Sequence, residues 1–110
     1  MYLIVWEFRV KKGREGEFEK VYGAGGEWVK LFESARGFLG TELASDVGEA
    51  GRYVTLDRWS SRRAYEEFRR STPPQYDALD RSCEDLTEQE KHLGSFEVAS
   101  SVENLGRSQR

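Results

Sequence analysis

Two hydrophobic periods alternate along the chain, and their order predicts strand, helix, strand, strand, helix, strand. The stretch from Tyr53 to Phe68 shows both. Tyr53, Thr55, Asp57 and Trp59 fall on one face of a period-two strand, with Val54, Leu56 and Arg58 on the other. After a polar break at Ser60-Ser61, with Ser61 as the cap, Ala64, Tyr65 and Phe68 recur at helical spacing. Tyr2 to Val10 is a second strand of the same kind. Ile4, Trp6, Phe8 and Val10 share one of its faces, and Leu3, Val5, Glu7 and Arg9 share the other. Both faces of both strands carry bulk, so each should meet another layer.

From Arg14 to Ser34 the spacing of Phe18, Val21, Tyr22, Trp28, Val29 and Phe32 is helical, but Gly23, Gly25 and Gly26 interrupt it. Each glycine costs about 1 kcal/mol relative to alanine inside a helix, so a bend or two short helices is expected. Gly37 reads as a C-terminal cap. Phe38 to Asp46 and Arg52 to Trp59 then form an antiparallel hairpin about a turn at Gly48 to Gly51. Thr72-Pro73-Pro74-Gln75 predicts a helix start with a capping box, followed by an inward stripe of Tyr76, Leu79, Cys83 and Leu86. Thr87 to Glu90 reads as the helix exit and Lys91 to Val98 as the last strand. Residues 1–98 thus form one domain, and Ala99 to Arg110, without apolar period, is expected to be a mobile tail.

This order predicts an α+β, ferredoxin-like, four-stranded antiparallel sheet with helices on one face. Leu3, Val5, Val54 and Leu56 would then form an apolar patch on the bare face, too large to leave wet. A homodimer packed sheet to sheet is the expected solution. A net charge of −3 argues against a nucleic-acid partner, which needs clustered Lys and Arg. The opening MYLIVW runs at once into charged residues and is too short for a signal core or a membrane span. The single cysteine, Cys83, excludes an internal disulfide, reads as a small core hydrophobe and suits a cytoplasmic location. There is no Ser-His-Asp set and no metal-ligand cluster, and the GAGG run at Gly23 to Gly26 lies inside a helical stripe rather than after a strand.

Trp6-Glu7-Phe8, Phe18, Tyr22-Gly23, Gly26-Glu27-Trp28, Gly37-Phe38-Leu39-Gly40-Thr41, Leu56-Asp57-Arg58-Trp59 and Phe68 together resemble the antibiotic biosynthesis monooxygenase group of the dimeric α/β-barrel superfamily. The resemblance spans roughly residues 2 to 98. It implies a homodimer and an aromatic small-molecule ligand, with cofactor-independent monooxygenase chemistry on a polyketide- or quinol-like compound as one expectation. A non-catalytic dimeric binding or assembly module is the other, because this fold hosts both. In the cofactor-free oxygenases of the group a phenolic substrate loses a proton and reacts with oxygen itself, within an apolar pocket that stabilises the anion. The haem-degrading members use an asparagine, a tryptophan and a helix-borne histidine. Here Trp59 matches the tryptophan, Glu7 stands near the asparagine position and neither helix carries a histidine, which speaks against haem breakdown.

The candidate ring-binding residues are the polar-tipped aromatics Tyr22, Trp28, Tyr53, Tyr65 and Tyr76, with Asp57 and Trp59 as catalytic candidates. Trp and Tyr offer a flat apolar body and one donor, which suits a planar ligand, although aromatics at these spacings also serve to fill a core. Asp57, Arg9 and Arg58 are charges on strands built for burial. Either they pair, with Glu7 or with one another, or Asp57 is a base and an arginine holds an anion. His92, the lone histidine, is an acid–base candidate by type and a surface residue by position. No metal and no cofactor is called for.

Overall fold

The computed structural model describes residues 1–104, and every expected element is present. Strand β1 (Tyr2–Val10) is followed by α1 (Glu15–Tyr22) and α2 (Glu27–Phe32), then β2 (Phe38–Ser45) and β3 (Arg52–Trp59). Next come α3 (Arg62–Ser71), α4 (Pro73–Cys83), a short 3-10 turn at Glu84–Leu86 and β4 (Thr87–Glu97). The sheet has the order β2-β3-β1-β4 with every pair antiparallel, a ferredoxin-like α+β fold. Ile4, Phe8, Val10, Tyr53 and Trp59 on the covered face, and Phe18, Tyr22, Trp28, Phe32, Phe68, Cys83 and Leu86 above it, form one core.

The glycine run splits the first crossover into two helices because the backbone closes on itself there. A Cβ on Gly26 would lie 2.3 Å from the Val21 carbonyl oxygen, and Gly25 adopts φ +75°. Gly37 is not the expected cap: α2 ends at Phe32 with Glu33 as its cap. Its role is close approach, since a Cβ there would stand 2.3 Å from Cβ of Ala64 on α3. The Ser61 cap is present, its hydroxyl accepting from the Ala64 N–H at 3.0 Å. The capping box at Thr72 is absent, because the Thr72 hydroxyl turns back to donate to the Phe68 carbonyl at 2.8 Å. Pro73 alone starts α4, within one residue of the end of α3.

The last strand begins at Thr87, four residues earlier than expected. Its pairing with β1 slips at Leu93 and again at Glu88, so two bulges interrupt the ladder. Val98 N–H still donates to the Met1 carbonyl at 2.9 Å. Ala99 to Asn104 has no regular structure, and the remainder of the expected tail, 105–110, lies outside the described residues. No described helix is long and apolar enough to cross a membrane.

Candidate functional site

A cleft opens between the covered face of the sheet and helices α1, α2 and α4. Its floor is Trp6, Phe8, Thr41, Thr55 and Asp57, and its walls are Tyr22, Trp28, Phe32, Tyr76, Asp80 and Glu90. Counted out to its mouth it spans about 500 Å³, but only about 60 Å³ is room for the centres of water molecules, so closely do the walls approach. Aromatic rings face one another across a narrow slot, T-shaped where Trp28 meets Tyr76 at 5.0 Å between centroids.

Asp57 is the polar group of the floor. Strand alternation places it on the covered face, with Ile4 opposite on β1 and Thr41 opposite on β2. It is 9% exposed, and its only side-chain partner among the described residues is the Thr41 hydroxyl, which donates to Oδ1 at 2.8 Å. No cation among the described residues pairs with it. Burial pushes its pKa up from 3.8 to about 6, and the Thr41 donor opposes that rise. The expected ion pair to Arg9 or Arg58 does not form, because both arginines project from the other face. There Arg58 meets Glu42 at 2.8 Å, and Arg9 meets Glu7 at 3.9 Å and Glu49 on the turn.

Three of the expected aromatics join Asp57 in the cleft. Tyr22 has its phenol pushed far up by burial, with Cys83 and Glu90 adding to the effect and the Trp28 N–H opposing it. Trp28 is 7% exposed, and its indole N–H falls short of hydrogen-bond geometry with any described group. Tyr76 on α4 is raised to about 12, chiefly by burial, and carries the Arg69 guanidinium 3.8 Å from its ring centroid.

The other three do not line the cleft. Trp59 shares the Asp57 face but ends its strand under α3, where Phe32, Phe38, Tyr65 and Phe68 enclose it completely. Its N–H is also without a partner among the described residues. Tyr53, at the strand's start, packs at a tilt against Phe18 and donates to Glu19 at 2.5 Å. Tyr65 accepts from Arg69 at 3.0 Å and packs at a tilt against Tyr2. One strand thus feeds two places, the cleft at its middle and the core at its end.

Trp6, Thr41, Asp80 and Glu90 line the cleft without having been singled out in the sequence. A signal existed for two of them. Asp80 follows Tyr76 by one helical turn, and Thr41 is the hairpin partner of Asp57. Glu90 carried none, because a strict alternation from Phe96 through Gly94 sends His92 and Glu90 to the open face. The bulge at Leu93 reverses that, pairing His92 with Trp6 and Glu90 with Phe8 on the covered side. His92 is exposed at the mouth, 5.3 Å from the Trp6 ring, with one ring nitrogen 2.9 Å from the Ser95 hydroxyl. Partial burial and the neighbouring Asp80 and Glu84 raise the Glu90 pKa. No group of three or more His, Cys, Asp or Glu side chains among the described residues could hold a metal.

The comparisons agree with this architecture. SnoaB, a cofactor-independent oxygenase from Streptomyces nogalater, superposes with a TM-score of 0.75 at 19% identity, covering 94% of this chain and 97% of that one. A single-residue mutant of MhuD with two manganese protoporphyrin IX bound per active site superposes at 0.73 with 22% identity, over 94% and 100%. A conserved protein from Methanosarcina mazei Go1 does so at 0.65 with 13% identity, over 86% and 89%. At these identities the likeness is one of fold. No curated protein matches the sequence. The family model described as antibiotic biosynthesis monooxygenase matches residues 1–81, from β1 into α4 and across every cleft residue but Glu90, and the chain belongs to that family.

Proposed function

We infer that the protein is a cofactor-independent monooxygenase acting on a phenolic or quinol-like ring, with Asp57 as general base. The observation that carries this reading is a carboxylate sealed in an aromatic slot with a hydroxyl for company and no cation paired to it among the described residues. A base with a pKa near 6 is ionised at neutral pH yet still basic enough to take a proton from an activated ring. Trp6, Tyr22, Trp28 and Tyr76 hold the ring, and the Trp28 N–H, beside the Tyr22 phenol, donates to the oxygen on which negative charge develops. Trp59, Tyr53 and Tyr65 support the walls from behind.

Written out, the ring C–H proton passes to Asp57 and the carbanion's electron pair forms a C–O bond to dioxygen. The peroxide so formed takes a proton and loses water, leaving a C=O. Oxygen is the only co-reactant. The SnoaB likeness supports the same reading by analogy of fold. Incubation with anthrone, without flavin or metal, is expected to consume oxygen and yield the quinone. Conversion no faster than in buffer overturns the oxygenase reading and leaves a binding module.

The open face of the sheet supports a homodimer. Leu3 faces Phe96 across the ladder, Val5 faces Leu56, and Phe96 is 51% exposed. Salt bridges of Arg52 with Glu7 and Asp46, and of Arg58 with Glu42, ring this apolar centre, the pattern of an interface core with a polar rim. Sedimentation is expected to give a dimer for the wild type and a folded monomer for Leu56→Glu. A wild-type mass that stays monomeric at every concentration contradicts the assembly.

A further inference from the structure

We propose that the cleft selects phenolic rings bearing a protonated amine over their carboxylate counterparts. This rests on the proposed ring-binding role of the cleft but not on its oxygen chemistry. The charged side chains lining the cleft are Asp57, Asp80 and Glu90, all acidic, and no Lys, Arg or His is among the lining residues. They are spread from floor to mouth, with Asp57 buried and Asp80 and Glu90 exposed. Between them stand the faces and edges of Trp6, Tyr22, Trp28 and Tyr76. Carboxylates set among aromatic faces are the surroundings in which an ammonium group is stabilised twice, by Coulomb attraction and by the ring quadrupoles.

The basic groups nearby do not reverse this balance. Arg69 lies over the Tyr76 ring and is tied to the Tyr65 hydroxyl. His92 sits at the mouth with a ring nitrogen engaged by Ser95. Lys91 neighbours Glu7 on the open face. The Trp28 N–H lies beside the Tyr22 phenol without full hydrogen-bond geometry, and a phenol or quinol oxygen on a guest would give it a better acceptor. The guest therefore carries a cation for Asp80 and Glu90 on a ring held among the aromatic walls.

The slot is narrow: its roughly 60 Å³ of free volume is well below the roughly 150 Å³ cavity that takes up benzene, so a ring enters only as the aromatic walls part, with its substituent left at the acidic mouth.

Three matched probes test the idea by titration calorimetry on the full chain: dopamine, 4-ethylcatechol and 3,4-dihydroxyphenylpropionate. They share the ring and differ in carrying a positive, zero or negative charge. The order of affinity is expected to follow that sequence, with about tenfold or more between the cation and the anion at low salt and less at high salt. Asp80→Asn and Glu90→Gln, both at exposed positions, are expected to weaken dopamine more than 4-ethylcatechol. Equal or tighter binding of the propionate overturns the proposal, as does a dopamine preference indifferent to both substitutions. The test is separable from the oxygenase reading. A charge preference without anthrone turnover sinks only the chemistry, and turnover without a charge preference sinks only the selection.

Discussion

Glu7 and Asp57 sit on the two central, adjacent strands of one sheet, yet the two faces treat their carboxylates in opposite ways. Glu7 receives Arg52 at 2.5 Å with Arg9 beyond it, and the Arg52 hydrogen bond lowers its pKa. Asp57 receives one hydroxyl, and burial raises its pKa to about 6. Arginines were within reach of the fold for both, since Arg58 adjoins Asp57 in sequence and the sheet simply turns it away. The Glu7 charge is neutralised by its partners; the Asp57 charge is held at a cost, as the proposed base would need. The contrast supports the proposed site more strongly than the aromatics do, because rings also pack densely around the sealed Trp59.

The sharpest way to break the contrast is to neutralise each carboxylate in turn. Asp57→Asn is expected to lower anthrone-dependent oxygen uptake by about 10² to 10⁴-fold, and Glu7→Gln to leave it within about twofold. Similar losses from both variants would show that the faces do not differ in function.

Stability should separate them with opposite sign. The folded pKa of Asp57 lies above its ordinary 3.8, so ionisation penalises the folded state as pH rises between about 4 and 6. Above that window the full penalty, about 3 kcal/mol, applies to the wild type, and Asp57→Asn should be the more stable protein. Below pH 4 the two should converge. Glu7 behaves conversely, because its folded pKa lies below the ordinary 4.5. Its contribution is present above that value and fades as pH falls through the folded pKa, so Glu7→Gln should lower the melting temperature slightly at neutral pH and not at all in strong acid. Urea titrations at several pH values decide this, and a pH-independent gap for Asp57→Asn would refute the assignment.

The smallest expected effect is the most specific. Thr41→Val removes the one donor that favours the ionised Asp57, so its pKa should climb further, by about one unit. The acid limb of the oxygen-uptake profile is expected to move to higher pH by the same amount, and an unmoved limb would mean the hydroxyl is idle.

Much of the framework was legible because period-two and period-3.6 patterns respond to burial, and burial is what the sheet and its helices share. Residues whose role depends on register or on competing local bonds were not. Arg52 was read only as the start of β3, although it anchors Glu7 and Asp46 together, since its partners come from two other segments. Thr72 has the composition of a cap but bonds backward because α3 and α4 nearly abut. Asp57 and Trp59 were rightly placed on one face, but that face runs from cleft to core within two residues. No alternation marks that boundary; it is set by where α3 lands.

The extra residue at Leu93 has a consequence for how this site can vary. Were the ladder to run unbroken through Leu93, Lys91 would face the slot opposite Phe8 and Glu90 would turn to the open side, while the wall that carries Asp57 stayed as it is. One unpaired residue at a sheet edge thus sets which charge stands at the entrance, independent of the proposed base within. Closing or shifting that single irregularity would exchange one class of guest for another without rebuilding the core.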